Sequence, residues 1–224
     1  MTRRRRVFLL SPARVDGERA KLLTSGSARS PLAAALREPE GVPLGEVFSF
    51  LSSLYFRGKL TYARVFARPP RGLPPALVIT TDRGLVPPET RVRLEDLLAF
   101  GRVNLAAADE RYLAPLRRDA ARLARALGRT GLAVLLGSIA TGKYADALLA
   151  ALGSRLVFPL VFVGRGDMSR GGLLLRHARE GRELEYVPVA GAVRRGPRPP
   201  KLARLPRPRR TERDREDDRP ESTP

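Results

Sequence analysis

The stretch Leu156-Val157-Phe158-Pro159-Leu160-Val161-Phe162-Val163-Gly164-Arg165-Gly166-Asp167-Met168-Ser169-Arg170-Gly171-Gly172 decides the fold. An unbroken apolar run from Leu156 to Val163 reads as a strand buried on both faces, the pattern of a parallel sheet. A helical pattern from Gly172 to Glu180 follows it. Four glycines, two arginines, one aspartate and one serine crowd into the turn between them. Glycine lets the backbone reach positive φ and approach a ligand closely, and a new helix offers unpaired N–H groups. With Arg165 and Arg170 added, the turn is a candidate anion clamp.

Three more apolar runs, Arg6–Leu10, Ala76–Thr80 and Ala133–Leu136, repeat the strand signature, with Glu185–Val189 a possible fifth. Between them lie helical candidates at Ser30–Arg37, Leu44–Leu54 and Gly58–Arg68, although Thr61 through Phe66 also fits a strand. Leu116, Ala120, Leu123, Ala124 and Leu127 recur at helical spacing, predicting a helix from Leu113 to Leu127 that stops at Gly128. Its other side carries Arg118, Arg122 and Arg125. Further helices are predicted over Ala140–Leu152 and Ser169–Glu180, the latter with Leu173, Leu174, His177 and Ala178 inward. Strands alternating with helices predict an α/β fold: one domain over residues 1–193, with a mostly parallel or mixed central sheet flanked by helices.

From Arg194 to Arg210 seven arginines and one lysine meet no acid and are interleaved with five prolines. Such a composition cannot bury apolar surface, so residues 194–224 are expected to form a disordered basic tail. The tail is either a phosphate-binding arm or a solvated appendage.

The 224 residues carry 42 basic and 23 acidic side chains, a net charge of +19. A coding bias explains arginine in place of lysine, since the only lysines are Lys21, Lys59, Lys143 and Lys201. It does not explain basic over acidic. The commonest partner for such a surplus is a polyanion, most often nucleic acid. With no cysteine, disulfides, thiolate nucleophiles and cysteine-ligated metals are excluded. A single histidine, His177, argues against a His-based metal site or a Ser-His-Asp triad, and no cofactor is expected. Arg3 to Arg6 followed by only four apolar residues is too short for a signal peptide or a membrane span, so a cytoplasmic protein is expected.

Four turns follow the strands, and the carboxyl ends of parallel strands line the ligand crevice. Ser11-Pro12-Ala13-Arg14 follows the first strand and puts Ser11 and Arg14 at its rim; alone, it also reads as a helix cap and a surface arginine. Asp82-Arg83-Gly84 follows the second, Asp82 serving as a base, as a holder for Arg83 or as part of a plain turn. Gly137-Ser138-Ile139-Ala140-Thr141-Gly142-Lys143 matches a P-loop until Tyr144 replaces the Ser or Thr that would hold Mg²⁺. A helix N-terminus holding phosphate without metal suits it better, through Ser138, Thr141 and Lys143. The fourth turn supplies Arg165, Asp167, Ser169 and Arg170. Asp167 serves there as an arginine lock or as an acid or base in the crevice. Together the turns would bring Arg14, Arg83, Lys143, Arg165 and Arg170 to one edge of the sheet, as a basic cleft.

In order and in residues these islands resemble the bacterial YaaA peroxide-stress family, as a remote relative. Leu10-Ser11-Pro12-Ala13-Arg14 is similar to the family's opening Ser-Pro-Ala-Lys, and Tyr55-Phe56-Arg57-Gly58 to its Tyr-x-Gly segment. Asp82-Arg83-Gly84-Leu85 resembles its Gly-Leu turn. Ser138 to Tyr144 is a loose counterpart of its Asn-Leu-Ala-Ser-x-Glu-Tyr signature, without the Asn and Glu. Asp167 to Leu173 partly matches its Lys-Lys-Ala-Arg-Gly-Leu-Met helix start. The resemblance implies binding of double-stranded DNA, its protection in oxidative stress, and no established catalytic activity.

The expectation is a DNA-binding protein of low sequence specificity that grips phosphates in an arginine-lined cleft. Tyr55 and Tyr62 are available for base stacking or for core packing. The alternative is an enzyme on a nucleotide or nucleic-acid substrate held by the Gly137–Lys143 and Gly164–Gly172 turns. It would draw on Asp82, Asp167, Glu46 and Lys143 for proton transfer. A scaffold with merely solubilising charge is the third reading.

Overall fold

In chain order the elements are β1 (Arg6–Leu10), α1 (Glu18–Thr24), α2 (Pro31–Ala35), β2 (Val42–Pro43), α3 (Leu44–Phe66), β3 (Ala76–Ile79), β4 (Leu85–Val86) and β5 (Arg91–Val92). There follow α4 (Leu94–Gly101), α5 (Glu110–Ala126), β6 (Leu132–Leu136), α6 (Ala145–Leu152), β7 (Leu156–Pro159), α7 (Asp167–Glu180) and β8 (Tyr186–Pro188). The structure, a computed structural model, describes residues 4–103, 109–142, 144–200 and 202.

Six strands form one mixed sheet in the order β4-β3-β1-β6-β7-β8, and β2 pairs with β5 in a small antiparallel ribbon. β3, β1, β6 and β7 run parallel, while β4 and β8 close the edges antiparallel. The four parallel strands are the four apolar runs, because only strands covered by helices on both faces can be apolar throughout. From β1 the chain moves to β3 on one side, then crosses back to β6 on the other. Right-handed crossovers in opposite directions put their helices on opposite faces. Accordingly α3 packs against α7, and α5 packs against α6. The reversal between β1 and β6 is a topological switch point, where a crevice opens beyond the carboxyl ends of the strands.

Several boundaries differ from expectation. The apolar run from Leu156 leaves the sheet at Pro159 and turns through a 3₁₀ segment, Leu160–Phe162, with Leu160 and Val161 exposed at 47% and 40%. Proline has no N–H to continue a ladder. The expected helices Leu44–Leu54 and Gly58–Arg68 fall in one element, α3, which is kinked at Ser53, whose φ of 44° and ψ of −118° are non-helical, and which ends at Phe66, leaving Arg68 to bridge Arg6. Thr61 through Phe66 is helical. The Ala140 start of the next helix moves to Ala145. His177 is only half-buried, and its ring Nδ1 lies 2.8 Å from the Arg182 carbonyl where α7 ends. Packing also continues past residue 193. Residues 194–200 carry no helix or strand, yet the Pro197 carbonyl lies against Gly164, and Arg165 donates to the Pro200 carbonyl at 3.3 Å. Residues 203–224 lie outside the described residues.

Candidate functional site

α3 and α7 cross so closely that neither tolerates a side chain at the contact. A Cβ on Gly58 would stand 2.7 Å from the Gly171 carbonyl oxygen, and one on Gly171 would stand 2.7 Å from the Leu54 oxygen. This crossing lays the first turn of α7 beside Tyr55 and the kink of α3. The Ser11 loop after β1 and the Ser138 loop after β6 complete the walls. They enclose a cleft of about 390 Å³ lined by Ser11, Pro12, Ala13, Arg14, Leu51, Ser52, Tyr55, Ser138, Thr141, Tyr144 and Asp167.

Behind Ser11, outside the lining itself, lies a buried lysine. Lys59 is fully buried, with Nζ donating to the Ser11 carbonyl at 2.6 Å and to Ser11 Oγ at 2.9 Å. The same nitrogen sits 4.4 Å from the Tyr55 ring centroid and 4.7 Å from that of Phe56. Among the described residues no carboxylate reaches it within ion-pairing distance. Burial therefore drives Lys59 down to about 7, against a weaker upward pull from Asp167. Burial also pushes the Tyr144 phenol up to about 12, and raises that of Tyr55. Among the described residues Tyr55 Oη is buried without a hydrogen bond that meets full geometry, although the Arg170 guanidinium lies near enough to oppose its upward shift. A polar atom so placed on a cleft wall is the kind that a ligand satisfies.

The expected convergence of arginines does not occur, for a physical reason at each position. Arg14 reaches the rim, but it is 83% exposed and paired with Asp16 at 3.1 Å. Arg83 turns away from the cleft onto α4, where it bonds Asp96, faces Asp82 at 3.7 Å and lies over the Phe100 ring. Arg165 folds back on its own turn, donating to the Val161 carbonyl and to Ser169 Oγ. Arg170 is buried beneath the cleft, where it donates to the Phe162 carbonyl at 3.0 Å and meets Asp167 at 3.4 Å. Asp167 is thus held as the arginine lock, with its carboxylate still on the cleft wall. Lys143 lies outside the described residues. What the turns do bring together is Ser11, Arg14, Ser138, Thr141 and Asp167: hydroxyls, one carboxylate and one rim arginine.

Neither helix start is free for an anion. Asp146 occupies the first turn of α6 and is held by Arg194 at 2.5 Å, while Asp167 occupies the first turn of α7. Each already supplies the negative charge that the helix dipole favours. The P-loop likeness fails on geometry too, since a Cβ on Gly137 would meet Tyr144 Oη at 2.6 Å. The phenol covers the glycine that would have to approach a phosphate.

Sequence reasoning passed over Lys59, Tyr55 Oη, Ser52 and Tyr144 as site residues. A signal for the first existed: Lys59 stands three residues after Phe56 and four before Ala63, on the inner stripe of its helix. Tyr55 and Tyr62 are both buried in the core, which removes them from base stacking.

The arginine surplus gathers at the opposite edge of the sheet. There β1 begins, the Leu132 amide of β6 donates to the Arg5 carbonyl, and Arg68 exchanges backbone hydrogen bonds with Arg6. α3, α5 and α7 all end near this edge. It exposes Arg4, Arg5, Arg68, Arg71, Arg129 and Arg182, with Arg125 and Arg179 in the last turns of α5 and α7. The nearby acids are Glu180 and Glu183, and Glu183 is taken by Arg6 at 2.6 Å. Among the described residues none of these exposed arginines has an ion-pair partner.

No family model matches the chain, and no curated protein or solved structure shows significant similarity to it. No helix among the described residues is long and apolar enough to cross a membrane.

Proposed function

We propose that this protein binds nucleic acid, double-stranded DNA first of all, through the arginine-rich edge at the amino ends of its parallel strands. The observation that carries the reading is the gathering of exposed, unpaired arginines there, on a chain of net charge +19. Helix ends favour cations through the macrodipole, which accounts for Arg125 and Arg179. It does not account for Arg4, Arg5, Arg68 and Arg71, which stand on strand starts and loops. Guanidinium groups on such an edge suit phosphate oxygens, which they bind in bidentate fashion. The YaaA resemblance implies the same partner, and protection of DNA in oxidative stress is the role it would serve in the cytoplasm. The binding face differs from the one the turns suggested, because the crevice arginines are engaged elsewhere.

The measurement is fluorescence anisotropy of a 20-base-pair duplex over a salt series. Six phosphate contacts give a slope of log affinity against log salt near −5, at about −0.9 for each phosphate neutralised. Replacing Arg68, Arg71 and Arg129 together by alanine should flatten it by about three. Duplexes of unrelated sequence should bind alike. Affinity that is flat in salt, or a slope unchanged by the triple substitution, refutes the proposal.

A further inference from the structure

We propose that Ser11 and Lys59 form a serine–lysine nucleophile pair, and that the cleft beyond the carboxyl ends of β1 and β6 hydrolyses small carboxylic esters through an acyl-serine intermediate. The proposal is independent of nucleic-acid binding, which uses the other edge of the molecule.

A serine needs a neighbouring base to become a nucleophile, and a lysine serves when it is desolvated and lacks a carboxylate partner. Lys59 meets both conditions: its Nζ is sealed from water, 2.9 Å from Ser11 Oγ, with aromatic rings on its other sides. Its Nζ donates to the Ser11 carbonyl at 2.6 Å and to Ser11 Oγ at 2.9 Å; as a neutral amine it would hold the carbonyl bond and turn its lone pair to the Ser11 hydroxyl proton, reversing the second bond. Ser11 in turn is one of the residues that line the cleft. Two phenols supply donors for a developing oxyanion. Tyr144 Oη and Ser11 Cβ crowd the same point above Gly137, at 2.6 Å and 2.9 Å from a Cβ built there. Tyr55 Oη, buried on the cleft wall beside the Arg170 guanidinium, is the second. The cleft of about 390 Å³ sets the substrate as small, and its hydroxyl lining suits a polar acyl compound.

The steps balance without a cofactor. Ser11 Oγ bonds to the ester carbonyl carbon as its proton passes to Lys59 Nζ, and the carbonyl oxygen takes the negative charge beside the phenols. The tetrahedral species collapses, the C–O bond to the alcohol breaks, and Lys59 returns the proton to the departing alkoxide. Water then adds to the acyl-serine, losing its proton to Lys59, and the carboxylic acid leaves as Ser11 regains its proton. The other titratable and charged groups that face Lys59 are Tyr55 on its own helix and Asp167 and Arg170 on α7.

The experiment treats the full chain with a fluorophosphonate probe and maps the adduct by mass spectrometry, alongside turnover of p-nitrophenyl acetate. The expected adduct is on Ser11, absent in Ser11→Ala. Its rate should climb as pH rises through about 7 in the wild type. Lys59→Arg keeps a cation in place but supplies no base, so labelling and turnover should both fall at least a hundredfold and lose that pH rise. Circular dichroism shows whether each variant is folded; if Lys59→Arg unfolds, the wild-type pH profile and Ser11→Ala decide alone. Absence of an adduct on Ser11, an adduct elsewhere only, or a labelling rate without the pH rise overturns the proposal.

Discussion

A lysine nitrogen cut off from water against Ser11 and two aromatic rings loses the hydration that stabilises its charge, and this makes folding itself sensitive to pH. In the unfolded chain Lys59 titrates at its ordinary 10.5, and in the folded protein at about 7. Between these values the unfolded state binds more protons, so stability rises as pH climbs from about 7 toward 10.5. Each pH unit in that window adds up to about 1.4 kcal/mol. Above pH 10 the sign reverses. The phenols of Tyr55 and Tyr144 stay protonated in the fold after unfolded tyrosine has ionised. Urea unfolding should therefore show a higher midpoint at pH 9 than at pH 7, with the gain absent in Lys59→Met. A wild-type midpoint that does not move between those pH values would contradict the burial of a lone cation. The inner stripe of the helix, Phe56, Lys59 and Ala63, turns the lysine inward, but Arg57-Gly58-Lys59 alone does not name the partner it meets, the Ser11 carbonyl. That carbonyl lies 48 residues away in sequence.

At the scale of elements, the parallel strands were legible because burial on both faces leaves an apolar run that no other structure imitates as well. β7 was drawn too long because Leu160 to Val163 continues the apolar run after Pro159 has ended the ladder. The kink in α3 was legible only as a gap between two helical patterns; its position at Ser53 depends on how the helix wraps the cleft. The α3–α7 crossing was not legible, since Gly58 and Gly171 are far apart and each alone suits a turn. Its energetics are testable. A methyl group on Gly171 would lie 2.7 Å from the Leu54 oxygen and 2.8 Å from Tyr55 Cα, both backbone atoms held within a helix. The helices must then separate, at a cost of about 1–3 kcal/mol. Gly171→Ala should lower the thermal midpoint accordingly and slow any labelling of Ser11, because Tyr55 moves with α3. By contrast, Gly17→Ala meets no atom within 4 Å and should leave the crossing intact. Equal midpoints for the two variants would show that the crossing is looser than its geometry.

Across the whole molecule, charge is sorted along the strand axis. Carboxylates sit in the first turns of α3, α5, α6 and α7, while unpaired arginines collect where β1 and β6 begin. Net charge was readable from composition, but its placement was not, because Arg4, Arg68, Arg129 and Arg182 become neighbours only when the sheet is assembled. The turns were read as one basic edge because three of them contain arginine and the fourth contains Lys143. Folding spends those arginines on Asp16, Asp96, Asp167 and backbone carbonyls instead. The two edges therefore make opposite predictions for the same kind of substitution. Arg83→Ala removes contacts to Asp96 and the Phe100 ring, so it should cost about 1 kcal/mol of stability, given its partial exposure, while leaving duplex affinity within about twofold. Arg129→Ala removes no ion pair and should leave stability unchanged within about 0.5 kcal/mol. It should weaken duplex binding across all sequences and reduce the salt slope by about one. Thermal melts and anisotropy on the two variants separate these outcomes. If Arg83→Ala weakened DNA binding more than Arg129→Ala, the binding face would lie at the carboxyl ends of the strands after all.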